Sequence, residues 1–452
     1  MSSQMSTIFT ATRNPCRMCT PLGAVMVFSG IADAVPFLHG SQGCSTYIRR
    51  YLIGHFREPV DIACSNFSES SVIFGGWQNL QAGIQTIIEQ YHPQLIGIAT
   101  TCLAETIGED LPQMIRRLQN ELPESGPILV SVSTPSYQGS HTDGFRRAVK
   151  AVVEKLAQDG PAGRHINVFS GMISPEDIRH LKDIFMDFGL DAMILPDYSD
   201  AFDSGIWSRY EKNIESGTAI ESIRRCGQAQ ASIEFGSVGD ASASAGDALL
   251  RRFGTPLYEL AFPIGVRLND IFFERLRMLS GCEVPSRYVG QRSRLIDSYV
   301  DAHKYVFGKK TVLYGPADWV AALAVFLDEI GMIPVLCAAA DCTGKLKEYL
   351  AEHLGPDKAE RIAVIEDTDF ASIEEKAAAL RPDILIGDSN GYKISRNLRV
   401  PLVRLGLPIH DRIGASRITA LGYRGTQQLF DRIVNALLET QQDNSPVGYT
   451  RL

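Results

Sequence analysis

The sequence predicts an α/β protein made of three Rossmann-like domains, each a mainly parallel sheet flanked by helices. Short apolar runs typical of buried strands alternate along the chain with longer segments of helical periodicity. This alternation restarts after the break at residues 160–163 (GPAG) and again before the apolar run that begins at Thr311. At 452 residues the chain is also too long for one hydrophobic core.

The first domain is predicted to span residues 1–163. Its strands are expected at 95–100 (LIGIAT) and 128–132 (ILVSV), where apolar residues follow one another without interruption. Its helices are expected at 110–122 and 143–158, because apolar residues recur there at helical spacing on one face.

The second domain is predicted at 164–308 and the third at 309–452. In the second, Ser174 followed by Pro175 is a helix-start signal. Its strands are expected at 166–169, 192–196 and 257–262. The strands of the third are expected at 311–315, 334–337, 384–387 and 402–405, with a helix at about 318–330.

Composition argues against several classes of protein. A net charge of −8 disfavours a nucleic-acid-binding surface. No apolar run approaches the roughly 20 residues of a membrane span, and the polar start of the chain lacks the apolar core of a signal peptide. We therefore expect a cytoplasmic protein with no nucleic-acid partner and no membrane contact. In that reducing compartment its nine cysteines are expected as thiols or metal ligands.

Three cysteines lie in tight turns of small residues: Cys19 in CTPLGA, Cys44 after GSQG and Cys102 after two threonines. Their separations of 25 and 58 residues exclude the close ligand pairs of a zinc finger. The glycines before Cys44 let the backbone approach a bulky ligand, and Pro21 predicts that Cys19 stands at a helix start that favours anions. The pattern predicts one large metal cluster whose remaining ligands come from a partner chain.

These same segments resemble the nitrogenase component 1 superfamily. The motifs that carry the resemblance are residues 19–24 (CTPLGA), 39–44 (HGSQGC) and 101–110 (TCLAETIGED). Further similar segments are 55–59 (HFREP), 134–140 (TPSYQGS), 195–199 (LPDYS) and 406–412 (GLPIHDR). The resemblance extends over essentially the whole chain, and the three cysteines match the β-type (K) subunit.

The resemblance implies a role in electron relay. Cys19, Cys44 and Cys102 would hold half of a P-cluster, an [8Fe-7S] centre completed by three thiolates of an α-type (D) subunit. Ser136 matches a serine that ligates this cluster in some redox states, and a simple turn residue is the alternative. The family also implies an α2β2 heterotetramer, a catalytic iron–sulfur cofactor in the α-type chain, and transient docking of an ATP-dependent [4Fe-4S] iron protein. No catalytic residue is expected in this chain.

Three other residues are considered as metal ligands, and a structural role is favoured for each. Cys16 forms a Cys-x-x-Cys pair with Cys19, but the family needs only the second cysteine. Cys226 and His410 invite comparison with the mid-chain cysteine and late histidine of α-type subunits. The surroundings of Cys226 resemble β-type chains, and the segment 406–412 around His410 occurs widely in the superfamily without a metal-binding role. The other cysteines are expected to be structural: Cys64, Cys282, Cys337 and Cys342.

Within the family, a methylthio-alkane reductase is favoured, an enzyme that cleaves C–S bonds to release methanethiol and a hydrocarbon. Residues 14–19 (NPCRMC) and 44–50 (CSTYIRR) resemble less-studied nitrogenase-like chains, and only 18 residues precede Cys19, whereas the molybdenum-type β subunit carries a long extension there. The alternatives are the N-type chain of the cofactor-assembly scaffold and the β subunit of a vanadium- or iron-type nitrogenase. The usual scaffold chain lacks the first and third cysteines.

Overall fold

The computed structural model describes residues 14–206 and 216–447. Most of the polar N-terminal stretch lies outside the described residues, as do 207–215 and 448–452. Three sheets follow one another along the described chain, and every pairing between their strands is parallel. The predicted α/β architecture is therefore confirmed, while the domain boundaries after residues 163 and 308 stay a prediction.

The first sheet has the strand order β2-β1-β3-β4. Its strands are β1 (Ala34–His39), β2 (Ala63–Cys64), β3 (Leu95–Thr100) and β4 (Ile128–Val132). The accompanying helices are α1 (Thr20–Ser29), α2 (Gln42–Phe56), α3 (Glu69–Phe74), α4 (Trp77–Tyr91), α5 (Cys102–Thr106), α6 (Leu111–Glu121) and α7 (His141–Leu156). Because β2 and β3 flank β1 on opposite sides, the chain changes direction between β1 and β3. Ligands of open parallel sheets collect outside the carboxyl ends of strands at such a switch point.

The second sheet has the order β6-β5-β7-β8. Its elements are β5 (Ile166–Phe169), α8 (Pro175–Asp187), β6 (Ala192–Leu195), α9 (Ile220–Arg224), β7 (Ala231–Phe235), α10 (Ala245–Phe253) and β8 (Leu257–Leu260), followed by α11 (Gly265–Ser280) and α12 (Ser286–Val306). The Ser174 side chain caps α8 by accepting the amide of Asp177 at 2.9 Å, which confirms the predicted helix start.

The third sheet has the order β11-β10-β9-β12-β13. Its elements are β9 (Lys310–Gly315), α13 (Ala317–Glu329), β10 (Ile333–Ala339), α14 (Leu346–Leu354), α15 (Pro356–Glu360), β11 (Ala363–Ile365), α16 (Phe370–Leu380), β12 (Ile384–Gly387), α17 (Tyr392–Leu398), β13 (Leu402–Arg404) and α18 (Gly422–Asp443). The last helix returns to pack against α12. Within the described ranges, no helix is long and apolar enough to cross a bilayer.

Two glycines let α1 and α7 approach until their backbones touch. A Cβ atom on Gly23 would lie 1.9 Å from the carbonyl oxygen of His141, and one on Gly144 would lie 1.9 Å from that of Thr20. These distances are far below van der Waals contact, so neither position accepts a side chain without a backbone shift. The contact fixes the start of α1, where Cys19 stands, against the first sheet's other elements.

The buried carboxyl group of Asp388 is expected to make the protein less stable as the pH rises. This carboxyl group, which follows β12, is buried and accepts the amide of Asn390 at 2.7 Å. Burial, reinforced by the charge of Asp411, raises the pKa of Asp388 from 3.8 to about 8. The folded state then keeps a proton that the unfolded state has lost, so the stabilisation is full below about pH 4 and disappears as the pH rises to about 8.

We expect Asp388→Asn to remove this dependence while keeping an oxygen for the Asn390 amide. The melting temperature of the variant, relative to that of the unmodified protein, should rise between about pH 5 and about pH 8. Thermal denaturation at several pH values measures this difference. A difference that stays constant over the range would contradict the prediction.

Candidate metal centre

The cysteines predicted as ligands converge at the carboxyl edge of the first sheet. The ends of β1 and β3 lie side by side, since His39 pairs with Thr100. Cys44 lies in the first turn of the helix that follows β1, and Cys102 begins the helix that follows β3. Both therefore flank the switch point between these two central strands.

Cys19 reaches the same edge from α1, of which it is the N-cap residue. The next side chain, Thr20, donates its hydroxyl to the carbonyl oxygens of Pro135 at 3.4 Å and Gly139 at 3.3 Å. These two residues bracket Ser136 in the loop that follows β4, the strand next to β3. The start of α1 is thus tied to the loop that contains the predicted serine ligand.

Ser136 contacts the cysteine group through its backbone. Its amide N–H donates to the Sγ atom of Cys102 at 3.2 Å. Such hydrogen bonds to sulfur stabilise the thiolate form of cysteine and tune the potential of a cluster that the sulfur binds. The residue therefore supports Cys102 directly through its backbone amide.

The thiols lie within electrostatic reach of one another. The pKa of Cys44 is raised first by burial and then by three neighbouring thiols, namely Cys19, Cys102 and Cys64. All four side chains are only partly buried. Because the neighbouring thiols disfavour the ionisation of Cys44, positive charge at the site would favour its thiolate form. A bound iron centre would supply such charge.

Cys64 is a member of the group that the sequence analysis assigned to structure alone. It ends β2, and its strand partner Leu38 lies one residue before the end of β1. The three strands β2, β1 and β3 thus each deliver a thiol near the same edge. Cys64 lies near the other thiols, and its substitution by alanine tests whether it is also a ligand.

We expect Cys64→Ala to retain the iron of the centre. Cys64 ends a strand, whereas each of the other three cysteines lies in a tight turn of small residues that leaves space for a bulky ligand. Stability should change by no more than about 1 kcal/mol, since the side chain is only partly buried. Iron analysis and thermal denaturation of the purified complex measure both effects. Loss of iron comparable to that caused by removing Cys44 would make Cys64 a ligand.

The backbone around the thiols fits a bulky anionic ligand. Gly40 has a φ of +147°, and a Cβ atom there would lie 1.8 Å from Oγ1 of Thr101, so this glycine brings the loops of Cys44 and Cys102 together. A Cβ atom on Gly43 would meet only the Ser41 hydroxyl, at 3.7 Å, which leaves open space at the start of α2. Thiolates with nearby amide donors are the ligand set of iron–sulfur clusters. In the described parts of the chain, no three His, Cys, Asp or Glu residues are grouped to hold a single metal ion.

Two glutamates, Glu105 and Glu109, accept hydrogen bonds from residues at the carboxyl edge of the first sheet. Neither set of contacts was expected from the sequence. Glu109 accepts hydrogen bonds from the His39 ring and from the amide of Gly76. Although burial opposes ionisation, these bonds lower the pKa of Glu109 and hold it charged. Glu105 accepts the hydroxyls of Thr100 and Ser133, both at 2.5 Å.

The structure places the three alternative ligands elsewhere. Cys16 is buried, and its amide donates to the carbonyl oxygen of Thr368 at 2.9 Å, which attaches it to the third sheet. Cys226 is fully buried, and burial raises its pKa to about 12. His410 is exposed, and its carbonyl oxygen accepts the Arg57 guanidinium at 2.9 Å.

Comparison with known proteins assigns this arrangement to a family. The family model described as nitrogenase component 1 type oxidoreductase matches residues 19–438, a span that begins at Cys19. The chain belongs to the nitrogenase component 1 family. It is thus a subunit of an oxidoreductase, and its relatives identify it as a β-type chain.

Several relatives align over nearly their full length. The nitrogenase molybdenum-iron protein beta chain of Methanothermobacter thermautotrophicus is 36% identical, with 94% of each chain covered. The nitrogenase vanadium-iron protein beta chain of Trichormus variabilis is 33% identical, covering 94% of this chain and 93% of that one. The nitrogenase iron-molybdenum cofactor biosynthesis protein NifN of a Nostoc species is 30% identical over 95% and 94%.

Solved structures of the family agree in fold. A chain of nitrogenase Cp1 at pH 6.5 superposes with a TM-score of 0.94 at 32% identity, covering 99% of this chain and 98% of that one. A chain of nitrogenase Cp1 at pH 5 superposes with a TM-score of 0.70 at 16% identity, which shows the shared fold alone.

Proposed function

We propose that this nitrogenase component 1 chain holds half of an [8Fe-7S] P-cluster through Cys19, Cys44 and Cys102. The observation that carries the proposal is the convergence of these partly buried thiols at one switch-point edge, where Cys19 and Cys102 lie close enough to Cys44 to disfavour its ionisation. When bound, the cluster accepts and donates electrons one at a time. The chain would thereby relay electrons rather than reduce the substrate itself.

The residues of this chain set the conditions for that relay. The start of α1 places the partial positive charge of backbone N–H groups beside Cys19, and the first turn of α2 does the same for Cys44. The Ser136 amide stabilises the Cys102 thiolate. We propose Ser136 as a further ligand through its hydroxyl in some redox states, since its amide already contacts that cysteine.

A partner completes the site. Three thiolates leave an eight-iron centre with too few ligands, and the thiols of this chain are only partly buried. We propose an α-type (D) subunit that supplies the other thiolates across the interface, in an α2β2 heterotetramer that also holds the catalytic iron–sulfur cofactor. An ATP-dependent [4Fe-4S] iron protein would deliver the electrons transiently, in the cytoplasm.

For the substrate, we propose a methylthio-alkane, in which the bond between sulfur and the alkyl chain would be cleaved with two electrons and two protons to give methanethiol and a hydrocarbon. The resemblance of residues 14–19 and 44–50 to nitrogenase-like chains supports this choice. The short stretch before Cys19 does not separate the chain from molybdenum-type relatives, since the archaeal beta chain aligns over 94% of both lengths. Dinitrogen is therefore the second candidate, favoured by the relatives' names.

A side-by-side assay decides between them. The chain should be purified with its native partner subunit and supplied with the iron protein, ATP and reductant. Methanethiol release from a methylthio-alkane without ammonia formation from dinitrogen would support the proposal, and the reverse would assign the chain to a nitrogenase. A four-iron spectrum with neither activity would instead favour the N-type scaffold, for which the NifN relative is the precedent.

A further inference from the structure

A small cavity lies between elements of the first, second and third sheets. It is lined by Met26 of α1, His55 of α2, His141 at the start of α7, Met172 after β5 and Trp319 of α13, together with part of the segment 405–418 that follows β13. Its volume is about 40 Å³. Since one water needs about 10–15 Å³ by the same measure, the cavity holds about three waters or one ligand of three to five non-hydrogen atoms.

Two buried histidines line this cavity, and the Nδ1 atom of each ring accepts a backbone amide. Nδ1 of His55 accepts the amide of Ile409 at 2.8 Å, and Nδ1 of His141 accepts the amide of Met18 at 3.3 Å. In a neutral imidazole with Nδ1 as acceptor, the single ring proton is on Nε2. Both rings therefore have Nε2–H donors, and that of His141 is buried without a partner in the described chain.

Both rings are neutral at physiological pH. Burial lowers the pKa of His55 to about 3 and that of His141 to about 4. A neutral ring whose Nε2 carries the proton has no lone pair there for a metal ion. The two rings thus offer hydrogen-bond donors, and neither ring offers a lone pair at Nε2 or a positive charge.

The other polar groups of the cavity already have partners. The Trp319 indole donates to the carbonyl oxygen of Met172 at 3.0 Å, and the Ser174 hydroxyl donates to that of Ile418 at 2.6 Å. Asp177 accepts backbone amides from the segment before α18 at 3.0 and 3.1 Å. The remaining lining is mostly apolar, so an apolar molecule with one acceptor atom would match the walls.

We propose that this cavity is a binding site for a small uncharged molecule that carries one acceptor oxygen on an apolar body of three to five non-hydrogen atoms, such as a short ketone or sulfoxide. The oxygen accepts the Nε2–H of His141, with that of His55 as a second donor. An anion of the same size is excluded, because none of the described residues that line the cavity is a lysine or an arginine that could offset its desolvation. The inference does not rest on the proposed relay, although the amide that His141 accepts belongs to Met18, the residue before Cys19.

Acetone and acetate test the proposal, since they have similar shapes and differ in charge. Saturation-transfer difference NMR on the intact complex should show acetone binding that acetate does not displace. A crystal of the complex soaked in acetone should show the oxygen about 3 Å from Nε2 of His141. Displacement of acetone by acetate, or ordered water alone at that position, would overturn the proposal.

A filling substitution provides the matched comparison. Met172→Trp should occupy the cavity and weaken acetone binding at least about tenfold, a loss of about 1.4 kcal/mol. Met186→Trp makes the same change at an exposed position of α8 and should leave binding unchanged. Equal acetone binding by both folded variants would overturn the proposal. If Met172→Trp does not fold, the soaked crystal of the unmodified complex still decides.

Discussion

Replacement of Cys44 by alanine is expected to remove most of the cluster iron and to lower reductase activity at least about tenfold, because one of three thiolates on this side of the centre is lost. The fold should survive, since the side chain is only partly buried and a change of this size costs about 1 kcal/mol. Iron analysis, activity with the iron protein and circular dichroism of the purified complex measure the three effects.

Cys282→Ala is the matched control. Cys282 is exposed and lies just beyond the end of α11, so its loss should change neither iron content nor activity. Full activity and iron in Cys44→Ala would refute the relay role. Equal losses in both variants would show that iron content responds to cysteine removal in general.

Gly23→Ala is expected to destabilise the protein and to disturb the centre at the same time. The added methyl group would meet a backbone oxygen at 1.9 Å, which cannot rotate away as a side chain does, so α1 must move from α7. Overpacking of this kind costs about 1–3 kcal/mol. Cys19 caps the displaced helix, and shifts of about 1 Å at a functional group can cost about a hundredfold in rate.

The measurements are the melting temperature and the iron content of the complex. A fall of about 1–3 °C is expected for a chain of this size, because its unfolding entropy makes about 1 kcal/mol equivalent to about 1 °C, together with reduced iron. Gly43→Ala makes the same chemical change beside Cys44, a proposed ligand, but the nearest described atom to its methyl group would be the Ser41 hydroxyl, at 3.7 Å. If both variants showed the same melting temperature and the same iron content, the role assigned to the contact between α1 and α7 would be contradicted.

The sequence was sufficient to locate elements that are marked by a few neighbouring residues. Uninterrupted apolar runs located β3 and β4, and the Ser-Pro pair located the start of α8. The same reading missed β1, the central strand of the first sheet, because Pro36 stands in its middle and lacks the N–H that a central strand normally donates. Pro36 lies opposite Gly97 of β3 in the parallel register.

The candidate centre could be predicted where it depends on strand ends and turns. Cys44 and Cys102 meet because the carboxyl ends of parallel strands share an edge, and Cys19 was expected at a helix start. The contact of His39 with Glu109 joins residues 70 positions apart, which no spacing rule predicts. The position of Cys64 depends on the register between β1 and β2, which only the folded sheet defines.

An iron anomalous difference map of the crystallised complex tests the central claim most directly. We expect one eight-iron peak at the interface with the α-type subunit, bound on this side by the Sγ atoms of Cys19, Cys44 and Cys102. A four-iron peak, or iron bound by fewer than these three thiolates in the resting state, would contradict the account.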